Sequence, residues 1–201
     1  MKSGEFLGIC AIAIILLGLA WTIAGPNTKV GKAWTYLTNG SGIAMTNQQS
    51  QPPAAGTSVV GGPSLSAAQV DTILANAGSP AQGSGQTFYN DSVQYGIDDA
   101  YALAFFKHES TYGLYGAAVN TRSIGNINCT AGYSCIGRFR AYPSWQAGID
   151  DWYQLIKTVY VGQGLSTVEA IIPHYAPNSD HNNEAAYISS VENDVSTWRA
   201  A

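Results

Sequence analysis

Charge is scarce in this sequence. Only 11% of its 201 residues are Asp, Glu, Lys or Arg, where about a quarter is usual. Basic residues are the scarcer sign, 9 Lys+Arg against 13 Asp+Glu for a net charge of −4. That balance argues against a general nucleic-acid binder, which presents a basic face. Cysteine is scarce as well. Three cysteines exclude a disulfide-dense miniprotein and a four-cysteine zinc site. What the chain does have is aromatic side chains, 12 Tyr and 5 Trp among them, and these exclude wholesale disorder.

The averages conceal three segments. Phe6 to Ile23 is apolar and uncharged. As a helix it reaches about 27 Å, close to the thickness of a bilayer's hydrocarbon core. Trp21 falls near its end, where an interfacial indole is favoured, and Pro26 discourages continuation. The run is long for the roughly 7–15-residue core of a cleaved secretory signal, which favours an uncleaved anchor. A cleaved signal, with Gly18-Leu19-Ala20 or Thr22-Ile23-Ala24 as its small-residue site, is the alternative. Lys2 on one side and Lys29 and Lys32 on the other leave the orientation undecided by charge. The expected organisation is therefore a membrane anchor and juxtamembrane segment over residues 1–38, with its helix at about 6–23. A linker rich in Gly, Ser, Pro and Gln follows over 39–63, uncharged and without helical period. The folded domain spans 64–201. Removing Lys2, Lys29, Lys32 and Glu5 from the totals leaves that domain 6 basic and 12 acidic residues, a net of −6.

Within the domain the pattern is mostly helical. Ser66 and Gln69 form a capping box for a helix carrying Val70, Ile73, Leu74 and Ala77, stopped by Gly78 and Pro80. Helices are predicted over about 86–95, over 98–112 with Asp98 and Asp99 at its positive end, and over 145–160 capped by Ser144. A short helix from Thr167 should halt at Pro173, and a last one runs from about Asn183 to Arg199. Strands at 134–136 and 138–142, joined at Gly137, make a small hairpin.

The third helix carries the most informative acid. Ala102, Phe105, Phe106 and Tyr112 lie on the same side as Glu109, which falls in the last turn. Apolar neighbours and the negative helix end both disfavour its carboxylate form. A carboxylic acid that keeps its proton near neutrality is what a general acid for a glycosidic oxygen requires. Pairing with a basic side chain is the structural alternative. His108-Glu109 begins the zinc pattern H-E-x-x-H, but its fifth position is Tyr112, and His174 and His181 do not make an i,i+4 pair. No metal and no cofactor are expected.

Tyr95-Gly96-Ile97-Asp98 followed by Ala104-Phe105-Phe106-Lys107-His108-Glu109-Ser110 resembles the helix ending in Glu-Ser of lysozyme-like peptidoglycan hydrolases. Ser123-Ile124-Gly125-Asn126-Ile127 is similar to the loop that follows their catalytic helix. Phe139-Arg140-Ala141-Tyr142-Pro143-Ser144 is similar to a strand and helix cap of the bacterial endo-β-N-acetylglucosaminidase branch. Tyr175-Ala176-Pro177, Asn182-Asn183 and Tyr187 resemble its tyrosine-bearing loop before the final helix. The resemblance implies an α+β, mostly helical, lysozyme-like domain that cleaves β-1,4 bonds of peptidoglycan glycan strands. It implies Glu109 as proton donor, Tyr175 as a second catalytic group, and Ser110, Asn126, Tyr142 and Tyr187 as candidate contacts to sugar.

The resemblance has one gap. Many relatives carry a second acid on a longer hairpin, whereas residues 127–139 here contain no Asp or Glu. Capture of the reacting carbon by the substrate's own 2-acetamido oxygen, or by its 6-hydroxyl in a lytic transglycosylase, would fill that role. The hairpin carries Cys129 and Cys135 instead. Their spacing is neither C-x-x-C nor part of a zinc set, and a disulfide is expected if the compartment is oxidising. That places the domain outside the cytoplasm, at a cell surface, in a periplasm or on a virion. The expected partners are glycan strands and, through residues 6–23, a membrane. Competing readings are a non-catalytic glycan-binding protein and an envelope or virion assembly protein.

Overall fold

The computed structural model describes residues 57–201. The proposed anchor at 6–23 and most of the proposed linker lie outside the described residues. Among the described residues no helix is long and apolar enough to cross a membrane.

The domain is mostly helical, with one two-stranded antiparallel sheet. Helix α1 (Ala67–Asn76) opens with the anticipated capping box, Ser66 and Gln69 each bonding the other's backbone N–H. Helix α2 (Gly85–Tyr95) ends on Gly96, whose φ of 64° continues the chain in the left-handed region that glycine tolerates. Helix α3 (Asp99–Ser110) is capped by the Asp98 carboxylate, which accepts from the Ala100 N–H at 2.9 Å. Residues Asp99 to Phe106 of α3 are all fully buried, so this helix is apolar on every side and forms the core. Helices α2 and α5 (Trp145–Leu155) and the last helix, α7 (Glu184–Arg199), pack around it. Short α4 (Ala118–Thr121) leads to the hairpin of β1 (Cys135–Ile136) and β2 (Phe139–Arg140), where Ile136 faces Phe139 and Cys135 faces Arg140.

Three local expectations need correction. Helix α3 stops at Ser110 rather than Tyr112, because Thr111, Tyr112 and Gly113 all take positive φ. Helix α6 (Val168–Tyr175) runs through Pro173. Burial of Val168, Ile171 and Ile172 outweighs the one backbone bond that proline removes. The helix read over 145–160 changes pitch, its last five residues, Ile156–Tyr160, forming a π turn.

The last seven residues of the segment read as linker also pack on the domain. Val59 is 1% exposed, its N–H donates to Ser166 O at 2.9 Å, and its carbonyl accepts from Asp98 N at 2.9 Å. Ser64 N and Leu65 N both donate to the buried Asp99 carboxylate, at 2.9 and 3.1 Å. This strap therefore joins the start of α3 to the start of α6, the two helices whose far ends carry Glu109 and Tyr175. One buried valine in a run of Gly, Ser and Pro was too weak a signal to mark it. Val59→Ala is expected to lower stability by about 2 kcal/mol, several degrees in Tm, through lost burial and the cavity left behind. Thermal and denaturant unfolding of the two proteins check this. Equal stability would show that the strap is not part of the cooperative unit.

Candidate active site

Glu109 lies one residue before the end of α3, partly exposed, and two side chains hold its carboxyl. The Tyr187 hydroxyl on α7 donates to Oε1 at 2.7 Å. Asn126 Nδ2 donates to Oε2 at 3.0 Å and to the Glu109 carbonyl oxygen at 3.1 Å. The second bond fixes which way the Asn126 amide points, since only its nitrogen can serve a carbonyl. Burial pushes the Glu109 pKa up, and the bonds from Tyr187 and Asn126 oppose that rise without cancelling it. No second carboxylate contributes to the shift. Lys107, two residues away, is paired instead with Asp194 on α7 at 2.5 Å. His108 stacks on the Tyr187 ring at 3.7 Å between centroids, and burial pushes its own pKa down. The pairing of Glu109 with a basic side chain is thus replaced by two neutral donors.

The groups around Glu109 are set by close packing. Phe105 on α3 contacts Trp152, Tyr175 and Tyr187, with ring centroids 5.2–5.4 Å apart. Tyr175, at the end of α6, is half-buried and donates to the Gly125 carbonyl at 2.6 Å. Burial pushes its phenol pKa well up, and the Glu109 charge adds to the rise. Gly125 is the one residue type that fits here, because a Cβ would meet the Tyr175 hydroxyl and the Trp152 indole. Asn126 follows at φ 45°, a left-handed conformation that asparagine tolerates. Its buried Oδ1 makes no hydrogen bond among the described residues.

The sequence-predicted residues separate into two groups. Glu109, Asn126 and Tyr187 meet directly, and Tyr175 joins them through Gly125. Ser110 and Tyr142 do not take part. The Ser110 hydroxyl accepts from Gly113 N at 2.9 Å and closes the turn after α3. The Tyr142 hydroxyl donates to Asp151 Oδ2 at 2.6 Å, beside Arg140 Nη1 on the same oxygen at 2.8 Å. Both side chains are buried, and their polar groups serve the fold rather than an open contact to sugar. Asp151 is held in this ion pair, and Asp98 is held likewise by Arg199 Nη2 at 2.6 Å. The resemblance made Tyr187 a candidate contact to sugar, not a partner of the acid. Its hydroxyl on the acid was legible only as a tyrosine on the buried stripe of the last helix.

Cys129 and Cys135 are joined in a disulfide. The strand-like run from Ile127 to Cys129 pairs with β2, Arg140 N donating to Ile127 O at 2.8 Å and Cys129 N to Arg138 O at 2.7 Å. The crosslink thus closes the end of a segment that starts at Asn126. Among the described residues no group of three or more His, Cys, Asp or Glu side chains could hold a metal ion. An apolar hollow of about 310 Å³ between α1 and Trp198 contains no acid or base and lies apart from Glu109.

Tyr187→Phe is expected to raise the Glu109 pKa further, because the lost bond favoured the charged form. The alkaline limb of any activity that needs the protonated acid should then move to higher pH. A pH–rate profile checks this, and a limb moved to lower pH would contradict the geometry.

No family model matches the chain, and no curated protein matches it. A search of solved structures does find a likeness. The crystal structure of S. aureus autolysin E in complex with the muropeptide NAM-L-Ala-D-iGlu superimposes with a TM-score of 0.51 at 10% identity, over 71% of each chain. The likeness at that identity is one of fold alone.

Proposed function

We propose that the domain is a glycoside hydrolase acting on the glycan strands of peptidoglycan, with Glu109 as general acid. One observation carries this reading: a carboxyl whose pKa burial raises, at the end of the core helix, oriented by two neutral donors and free of any basic partner. The likeness in fold to a protein solved with a muropeptide supports the substrate class. In the step proposed, the Glu109 proton passes to the glycosidic oxygen as the C1–O bond breaks. Positive charge develops at C1, and among the described residues no carboxylate acts on Glu109. The substrate's 2-acetamido oxygen captures C1. Water then opens the ring so formed, giving its proton to the Glu109 carboxylate. Capture of C1 by the 6-hydroxyl instead, its proton passing to the Glu109 carboxylate, would release an anhydro sugar. Tyr175 and Tyr187 line the site without adding charge.

We also propose that residues 6–23 tether the domain to a membrane, with 39–56 as spacer. The disulfide favours an extracytoplasmic position for the domain. Incubating the protein with purified peptidoglycan and identifying the new chain ends by mass spectrometry tests the reading. A new reducing N-acetylglucosamine end indicates the glucosaminidase, an anhydromuramyl end the transglycosylase, and intact strands reject both.

A further inference from the structure

The segment that follows the acid is shaped in a way the chemistry above does not use. Thr111, Tyr112 and Gly113 take φ of 51°, 58° and 84°, and two of the three are not glycine. Two consecutive non-glycine residues in the left-handed region are unfavourable and persist only where their surroundings hold them. Here they are held at every point. Ser79 Oγ donates to the Tyr112 carbonyl at 2.7 Å, and the Tyr112 ring meets the face of Phe106 edge-on. A Cβ at Gly113 would meet the Trp145 indole. Tyr115 N donates to the Ser110 carbonyl at 3.0 Å, returning the chain to the residue next to Glu109. The product of this bolted turn is Tyr115, 67% exposed and the most exposed large hydrophobic side chain among the described residues. Val119 on α4 is 53% exposed, and α4 packs beside β1, where Ile136 is 49% exposed. From Ser110 to Thr121 there is no charged residue.

We propose that Tyr115 is a stacking platform for a sugar ring of the bound glycan, next along the strand from the bond at Glu109. The inference rests on the proposed glycan substrate. An exposed aromatic face on a backbone fixed by this turn, in a segment without charge, suits the apolar face of a neutral pyranose. The domain's net charge of −6 and the absence of Lys and Arg from this segment disfavour an anionic lipid surface as the occupant.

The test uses the full chain carrying Glu109→Gln, so that strands are not consumed, and measures co-sedimentation with insoluble purified peptidoglycan. Tyr115→Ala should weaken binding about tenfold, while Tyr115→Phe, which keeps the ring, should stay within twofold. Both variants should match the parent in thermal unfolding, since the side chain is exposed. The proposal is overturned if Tyr115→Ala binds within twofold of the parent, if Tyr115→Phe loses as much as the alanine variant, or if the parent does not bind. A change in sedimentation coefficient on Tyr115→Ala, with glycan binding intact, would assign the surface to a second copy of the chain and overturn it too. The two readings fail separately. A wild-type protein without turnover whose Glu109→Gln form still binds through Tyr115 loses the enzyme and keeps the platform. Turnover with strand binding indifferent to Tyr115 does the reverse.

Discussion

Glu109→Gln is expected to lower turnover of peptidoglycan by about 10²–10⁴-fold, the contribution usual for a positioned general acid. Binding of the strands should survive, because glutamine keeps the shape and one acceptor oxygen. The variant's stability relative to the wild type should rise towards alkaline pH. Burial raises the folded-state pKa of Glu109, so the wild-type side chain contributes stability fully below the ordinary glutamate pKa. That contribution is lost as pH rises through its folded-state value. Glutamine does not titrate and escapes the loss. The experiment therefore has two readings, steady-state turnover and denaturant unfolding at two pH values. A glycan-binding protein without catalysis would show no turnover in the parent. An assembly protein would tolerate the substitution altogether.

Gly125→Ala carries the second large effect and touches no reacting group. The added methyl would occupy the space of the Tyr175 hydroxyl and the Trp152 indole. Trp152 is fully buried and packed against Phe105 and Tyr153, so it has little room to move. Overpacking of this kind costs about 1–3 kcal/mol. Relief by displacement of Tyr175 or of the Gly125–Asn126 backbone would shift the donor on Glu109 Oε2. A misplacement of about 1 Å at a catalytic group can lower turnover about 100-fold. Turnover and melting temperature of Gly125→Ala measured together check this, and wild-type values for both would show that Asn126 does not depend on this packing.

Much of this was legible before any coordinates, and the reasons are physical. Helix starts were marked by Ser66, Asp98, Ser144, Thr167 and Asn183, and the side chain of each accepts a backbone N–H there. The hairpin was marked by Gly137, which takes φ of 60° between β1 and β2. Glu109 stood out because an acid on an apolar stripe is uncommon. Its surroundings were harder to read. The dipole at the helix end was expected to help raise its pKa, whereas burial is the principal cause and two hydrogen bonds act against it. Which hydroxyl would reach the carboxyl depends on how α6 and α7 pack on α3, which no local pattern encodes. Tyr175 was named as a second catalytic group and Tyr187 as a sugar contact, and it is Tyr187 that bonds the acid. Ser110 and Tyr142 were named from their places in motifs, and motif position does not tell whether a hydroxyl faces a groove or a neighbouring turn. The strap at Val59 escaped notice because backbone pairing to Ser166 and Asp98 leaves almost no trace in side-chain composition.

The account depends on the protonation of one carboxyl, and that can be measured directly. In protein carrying ¹³C-labelled glutamate side chains, the Glu109 resonance is assigned by its disappearance in Glu109→Gln and followed through a pH titration. The account predicts a midpoint clearly above the ordinary glutamate value, moving higher still in Tyr187→Phe. A midpoint at or below the ordinary value would mean that Glu109 is a carboxylate at neutral pH, and the proposed proton donor would not exist.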